Sequence, residues 1–378
     1  MILLLVLLVQ CCCSNTGAIS TMTTSSSVGS AQVPAMFVFG DSLIDVGNNN
    51  FLNSLAKSNY YPYGCDFRAG PTGRFTNGRT FVDLLGNLLG LPYVPAFADP
   101  NTKGTRMLGG VNYASAAAGI LDETGQHYGE RYSLSQQVLN FESTLNQLRS
   151  MMSGTNLTQM LAKSIAVLAF GSNDYINNYL LPSLYTSSYH YTPPAFANLL
   201  LNRYTRQILA LHSVGLRKFV LAGIGPLGCI PNQRASAAQP ERCLDYVNQI
   251  LGTYNEGLRS LVNQFNTNHP DAIFVYANTY GAFGDMLNNP APYVILNQTM
   301  GLALAGFSVI DRGCCGIGRN RGQITCLPYA VPCSNRNQYM FWDAFHPTEA
   351  ANAILAWRAY NGPPSDSYPI NVQQMALI

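Results

Sequence analysis

The chain has 378 residues, of which 47% are hydrophobic and only 11% charged, with a formal net charge of +2. A typical soluble domain carries roughly 25% charged residues, so neutral polar side chains must hold this surface in water. With so small a net charge and no Lys/Arg run, the composition excludes a nucleic-acid partner, which needs a concentrated positive face, and leaves a small neutral substrate as the better match.

Met1 to Val9 is an apolar stretch, well short of the roughly 20 residues that span a bilayer, and a Cys/Ser/Thr-rich tract follows it. It reads as a signal peptide, with Ala18 and several Ser and Gly positions before Val33 all compatible with cleavage. Residues 19–33 lack any apolar period and are expected to be a disordered lead-in. The fold is expected to occupy residues 34–378 as one domain, since no linker or internal repeat interrupts them. No later run is long enough to cross a membrane.

From Pro34 onward, short apolar runs without alternation recur at Ala35–Phe39, Ile165–Phe170, Lys218–Ala222 and Ala272–Tyr276. Strands covered on both faces have this pattern. Between them lie amphipathic helices. The first carries Leu134, Val138, Phe141, Leu145, Leu148 and Met152 on one face, with Ser133 and Gln136 forming a capping box at its start. The second runs from about Pro194 to Val214 and stops at Gly215; the third carries Leu244 through Phe265 and ends before His269-Pro270. Strand–helix alternation predicts crossover connections, hence an α/β fold with a mostly parallel sheet and helices on both faces.

Ten cysteines are present, three of them (Cys11, Cys12, Cys13) in or beside the leader. The other seven, in an oxidising compartment, leave one thiol over. Cys65 is the expected spare, Cys229–Cys243 the preferred short bridge, and two more bridges are expected among Cys314, Cys315, Cys326 and Cys333. A zinc site from those last four is disfavoured because adjacent cysteines lack the usual Cys-x2-Cys spacing. The sequons at Asn156 and Asn297 are candidate glycosylation sites and fit export.

Ligands of open parallel sheets bind beyond the carboxyl ends of the strands. There the chain has Gly40-Asp41-Ser42, then Gly171-Ser172-Asn173-Asp174, then Gly223 to Gly228. A serine hydroxyl needs a base within hydrogen-bond reach and a third group to orient that base. Of the five histidines, only His346 has a carboxylate, Asp343, at a spacing that a tight turn folds back onto the ring. Pro347 disfavours helix at His346 and suits the first position of the helix that follows. Each of these short stretches, taken alone, is an ordinary turn; their occurrence together and in order is what carries weight. Asp41, Asp45 and Asp174 are expected to brace the site through backbone hydrogen bonds. Gly225-Pro226-Leu227-Gly228 offers no acid, base or nucleophile and is expected to be a structural turn.

The chain resembles the plant-type GDSL esterase/lipases of the SGNH hydrolase superfamily over about residues 34 to 360. The resemblance rests on Gly40-Asp41-Ser42 with Asp45 and Gly47-Asn48-Asn49-Asn50, on Gly110 to Ile120, on Gly171-Ser172-Asn173-Asp174, and on Asp343-Ala344-Phe345-His346, in that order. It implies a three-layer α/β/α sandwich of about five mostly parallel strands. It further implies Ser42 as nucleophile, His346 as general base and then acid, and Asp343 as the group that fixes His346. The oxyanion would be held by the backbone N–H of Ser42, a second-block glycine and the Asn173 amide. Gly119 is the preferred glycine and Gly110 its rival. The implied substrate is a small-molecule or lipid ester, with no metal and no cofactor required. The implied location is extracellular, the apoplast or cell wall in a plant. Acyl transfer to an alcohol, as in cutin formation, and a catalytically silent binding or defence protein are the alternatives.

Overall fold

A computed structural model describes residues 31–239, 242–290, 293–297 and 301–378, with only the backbone described at 293–297 and 301–305. The leader and most of the lead-in expected at 1–33 fall outside the described residues. Residues Ala31–Ile378 form one compact unit.

Four parallel strands, β1 (Met36–Gly40), β2 (Ile165–Ala169), β3 (Lys218–Ala222) and β4 (Ile273–Ala277), lie side by side in chain order. They match the four apolar runs to within a residue at each end. The fifth strand of the sheet is a two-residue antiparallel addition at Ser367–Tyr368, too short to leave any periodic signal. The outer edge of β1 is not open either. Residues 109–115 run along it, with Met36, Val38, Tyr113 and Ser115 donating backbone bonds across the seam. That pairing carries the second sequence block from the amino end of β1, beside Gly110, to its carboxyl end, beside Ser42.

Successive side chains of a strand point to opposite faces, and both faces here are apolar. Phe37, Phe39, Leu168, Leu221 and Phe274 bury one face against three helices, α2 (Leu134–Met151), α4 (Pro193–Ser213) and α5 (Asp245–Asn268). Val38, Val167, Val220 and Val275 bury the other against α1 (Phe81–Leu88) and α7 (Glu349–Asn361). The result is a three-layer α/β/α sandwich. Helix α3 (Gly154–Lys163) precedes β2, and α6 (Thr279–Asn288) follows β4.

Two local expectations fail. Ser133 makes no capping bond to α2; its hydroxyl is turned to the Asp122 carboxylate, to which it donates at 2.7 Å. Pro347 is not the first helical residue: Thr348 caps α7, accepting from the Ala351 N–H at 3.3 Å, so the proline stands one place ahead of the cap. Gly215, by contrast, follows α4 with φ of 119°, a conformation that an L side chain resists.

Among the described residues the cysteines pair as Cys229–Cys243, Cys314–Cys333 and Cys315–Cys326, leaving Cys65 free. With all four late cysteines bonded to one another, no thiolate remains there for zinc. A parallel pair, β7 (Val309–Gly313) and β8 (Tyr339–Phe341), aligns this cysteine-rich segment with the residues that lead into Asp343. A hairpin, β5 (Tyr293–Asn297) and β6 (Gly301–Ala305), precedes it, and the two-residue strand at Ser367–Tyr368 is β9.

Candidate active site

The site begins where β1 ends. At Gly40 the ladder ends, its carbonyl still accepting from Ser115 across the outer seam, and Gln137, a buried polar residue on the apolar stripe of α2, adds bonds to its backbone. The amide oxygen accepts from Gly40 N–H at 2.8 Å, and the amide nitrogen donates to Gly40 O at 2.8 Å. The chain then turns through Asp41, whose carboxylate accepts the Leu43 N–H at 3.0 Å, and projects Ser42 into a cleft.

Asp45 accepts from the N–H groups of Gly47 (2.7 Å), Asn48 (2.8 Å) and Ala116 (3.1 Å). Asn49 accepts the Ser115 hydroxyl and the Ala116 N–H and donates to Ala56 O. These bonds tie the first block to the second. Asp174 does the same for the third block, accepting from Ile120, Leu121 and the Thr124 hydroxyl at 2.8 to 3.0 Å. The three aspartates are thus fully engaged or buried braces. Burial raises their carboxyls above the usual range: Asp41 to about 7, Asp45 to about 6 and Asp174 to about 6. Backbone hydrogen bonds counter the rise, and Asp41 has the fewest.

From the other side of the cleft, β8 leads through Trp342 into Asp343-Ala344-Phe345-His346. The Asp343 carboxylate accepts the backbone N–H of Phe345 and of His346, each at 2.8 Å, which closes the turn. His346 Nδ1 lies 2.8 Å from Asp343 Oδ1, and His346 Nε2 lies 2.8 Å from Ser42 Oγ. The carboxylate is completely buried and the imidazole 7% exposed. Burial alone would raise the Asp343 carboxyl, but the His346 charge and hydrogen bonds from His346, Tyr63 and Phe345 outweigh it and hold the carboxyl below its ordinary value of 3.8.

Two of the groups around Asp343 have no sequence signal. Tyr63 donates its hydroxyl to Asp343 Oδ2 at 2.6 Å, and Thr325 donates to the same oxygen at 3.0 Å. Thr325 is adjacent to Cys326, so the Cys315–Cys326 bridge holds it there. The Phe75 ring, 5.0 Å from the imidazole, closes the remaining side.

Asn173 also borders the cleft. Its amide nitrogen donates to Ala118 O at 2.9 Å and its oxygen accepts from Asn177 at 2.6 Å, which orients the amide and leaves one N–H for a ligand. Neither glycine considered for the second block borders the cleft. Gly110 lies at the wrong end of β1, packed so closely that a Cβ there would stand 1.9 Å from Met36 O. Gly119 lies behind the Asp174 brace, where a Cβ would stand 2.4 Å from Thr124 and 2.6 Å from Asp174. Packing requires glycine at 119, and packing together with a φ of 108° requires it at 110. The second-block residues that border the cleft are Ala116 and Ala117; Ala117 has φ of 65°, and its N–H has no protein acceptor among the described residues. The neighbouring Ala116 N–H is consumed by Asp45 and Asn49.

The remaining histidines lie elsewhere. His127 Nδ1 is 2.8 Å from the Tyr185 hydroxyl, and His190 has no part in the cleft. His212, His269 and Asp271 gather their donor atoms within 4.8 Å of one another, but Arg217 Nε already holds the Asp271 carboxylate at 2.8 Å. Asn156 is exposed at the start of α3, and the side chain of Asn297 is outside the described residues.

Fold and geometry together define the class: a parallel-sheet α/β protein whose cleft has the side-chain arrangement of a serine hydrolase. The family model described as GDSL-like Lipase/Acylhydrolase matches residues 36–358. Over 351 residues the chain is 64% identical to GDSL esterase/lipase At1g71250 of Arabidopsis thaliana, covering 93% of this chain and 91% of that protein. It is 55% identical over 358 residues to GDSL esterase/lipase At5g08460 and 52% identical over 352 residues to GDSL esterase/lipase At1g29670, both of the same plant. These alignments cover 93% and 92% of this chain and 90% and 93% of the relatives. The chain belongs to the GDSL lipase/acylhydrolase family, and with it to the carboxylic ester hydrolases.

Proposed function

We propose that the protein is a secreted serine esterase that cleaves carboxylic esters through an acyl-enzyme on Ser42. The observation that carries this reading is the unbroken line of hydrogen bonds Ser42 Oγ, His346 Nε2, His346 Nδ1, Asp343, each step 2.8 Å. As Ser42 Oγ attacks the carbonyl carbon, its proton passes to His346 Nε2, and buried Asp343 stabilises the imidazolium. The tetrahedral intermediate collapses, the carbon–oxygen bond to the alcohol breaks, and His346 returns the proton to the leaving alkoxide. Water, deprotonated by the same nitrogen, then attacks the acyl-serine and releases the acid.

The negative oxygen of the intermediate needs donors aimed at it beforehand. We assign these to the N–H of Ser42, the N–H of Ala117 and the amide of Asn173. Ala117 replaces Gly119 in this role because its N–H borders the cleft and is unpaired among the described residues. Export is supported by three disulfides, which persist in oxidising compartments. Among the described residues no helix is long and apolar enough to cross a membrane. Exposed Asn156 is the better candidate for glycosylation.

The test is Ser42→Ala, assayed with a short-chain nitrophenyl ester and a fluorophosphonate probe. Turnover should fall by at least about a thousandfold and labelling should vanish. Undiminished turnover, or labelling at another residue, would remove Ser42 from its role and the mechanism with it.

A further inference from the structure

The sheet's carboxyl edge is unusually bare. Gly40, Ala169, Ala222 and Ala277 stand level in the strand register, so nothing larger than a methyl group occupies that row. Beyond the three alanines lies a second cavity of about 100 Å³, beside the 120 Å³ cleft that holds Ser42. The two spaces differ in lining. Both are lined largely by apolar groups, but the cleft adds Lys57, Tyr60, Asn177 and Thr325, whereas the second cavity is walled by Leu227, Ile230, Phe283, Phe341 and Leu355, with Asn278, Thr279 and Asn352 beside them.

They also adjoin. Leu43, Ser172 and Phe345 border the apolar cavity, and each is the chain neighbour of a residue that borders the cleft: Ser42, Asn173 and His346. Phe345 borders both, so its half-buried ring is the partition. From there the cavity follows α7 from Asn352 to Ala359, which at 1.5 Å per residue is about 10 Å. Its one cation, Arg358, is already neutralised by Asp366 and Asp285. A mainly apolar cavity that begins behind Phe345 and Leu43, one residue from the base and one from the nucleophile, and meets no free charge suits an unbranched hydrocarbon chain.

We propose that this cavity receives the acyl chain of the ester, passing Phe345, while the cleft that holds Ser42 takes the alcohol. The inference rests on the acyl-enzyme reading above and narrows it to aliphatic acyl esters of medium length. Each methylene buried there raises kcat/KM by about fourfold until the slot is full, after which the gain stops.

The experiment uses the full chain and a nitrophenyl ester series from acetate to palmitate. Gly225 borders the cavity without a left-handed φ, and a Cβ there would stand 3.3 Å from the Phe283 ring, so Gly225→Leu puts bulk into the slot. The octanoyl-to-acetyl ratio of kcat/KM should fall at least tenfold. Phe283→Ala widens the slot and should move the optimum to longer chains. Because the two substitutions push in opposite directions, failure of one variant to fold leaves the other as the test. A parallel change at every chain length in both variants would overturn the proposal. So would a shift seen only when the alcohol is lengthened at fixed acetyl, which would give the cavity to the leaving group. If Ser42→Ala abolishes turnover and the ratios do not move, the cavity assignment alone fails; if Ser42→Ala is active, the mechanism beneath it has failed.

Discussion

The two sides of the cleft hold buried aspartates whose carboxyls are shifted in opposite directions. On the nucleophile side, Asp41, Asp45 and Asp174 are buried, and although backbone donors and, for Asp41, the His346 charge pull the other way, burial prevails and their carboxyls are pushed up. On the base side, Asp343 is just as buried, yet its carboxyl is held down by the His346 charge and the hydrogen bonds it receives. Burial sets the direction unless a close countercharge and hydrogen bonds together outweigh it, as they do at Asp343. The supports differ as well. Ser42 hangs from the sheet through Gln137 and the Asp45 and Asn49 bonds, whereas His346 hangs from a disulfide-bonded segment through Asp343, Tyr63 and Thr325.

The largest effect expected from disturbing the nucleophile side, short of removing Ser42, comes from Asn173→Ala. Deleting one oxyanion donor typically costs about 2.7 to 4 kcal/mol, so kcat should fall by roughly 10² to 10³ with little change in KM. A loss confined to KM would mean that the amide binds the ground state only, and would break its assignment.

The contrast in carboxyl states is sharpened by pH. A buried acid whose folded pKa is raised favours folding below its unfolded value of 3.8 and loses that contribution as pH rises through the folded value, about 7 for Asp41. The protein should therefore lose stability as pH rises from 4 to 7. Asp41→Asn should flatten the upper part of this decline, above about pH 6, where Asp45 and Asp174 have already ionised. At 1.36 kcal/mol per unit the full swing is of order 4 kcal/mol. Thermal unfolding across that range checks it, and an unchanged slope would mean Asp41 is ionised throughout.

How much of this was legible beforehand follows from where the information lies. The four buried strands and the long helices announce themselves through their own side chains, and Ser42, Asn173, Asp343 and His346 through chemistry that few residue types supply. The edge pairing of 109–115 and the two-residue β9 have no such pattern, since their partners are supplied by the fold. Tyr63 and Asp343 are 280 residues apart, and nothing in either segment points to the other. In the second block glycine is a poor guide to the cleft: Gly119 is packed against Thr124 and Asp174, Gly110 has φ of 108° at the far end of β1, and the left-handed residue that borders the cleft, Ala117, carries a methyl group.

On the base side, Tyr63→Phe removes a donor to an ionised carboxylate, an interaction worth about 1.5 kcal/mol or somewhat more, or about tenfold in kcat/KM. The sign of its pH effect is opposite to that of Asp41. A depressed carboxyl contributes stability above its unfolded value of 3.8 and loses it as pH falls through the folded value. Weakening Asp343's support should therefore move acid unfolding to higher pH. Acid unfolding at the native midpoint would show that Thr325 and the backbone donors suffice.

The smallest expected effect tests the least expected assignment. Ala117 adopts φ of 65°, which costs an L residue about 1 to 2 kcal/mol relative to glycine. Glycine would relieve that strain but enlarge the unfolded ensemble, which costs about 0.4 to 1 kcal/mol. Ala117→Gly should therefore stabilise the protein by roughly 0.5 to 1 kcal/mol in chemical denaturation, as the difference of those terms. If the backbone N–H is what serves the oxyanion, kcat should change little, because glycine keeps that donor. A loss of tenfold or more in kcat at unchanged or improved stability would show that the methyl group itself does the positioning, and that the strained backbone at 117 is held for a side chain rather than for its N–H.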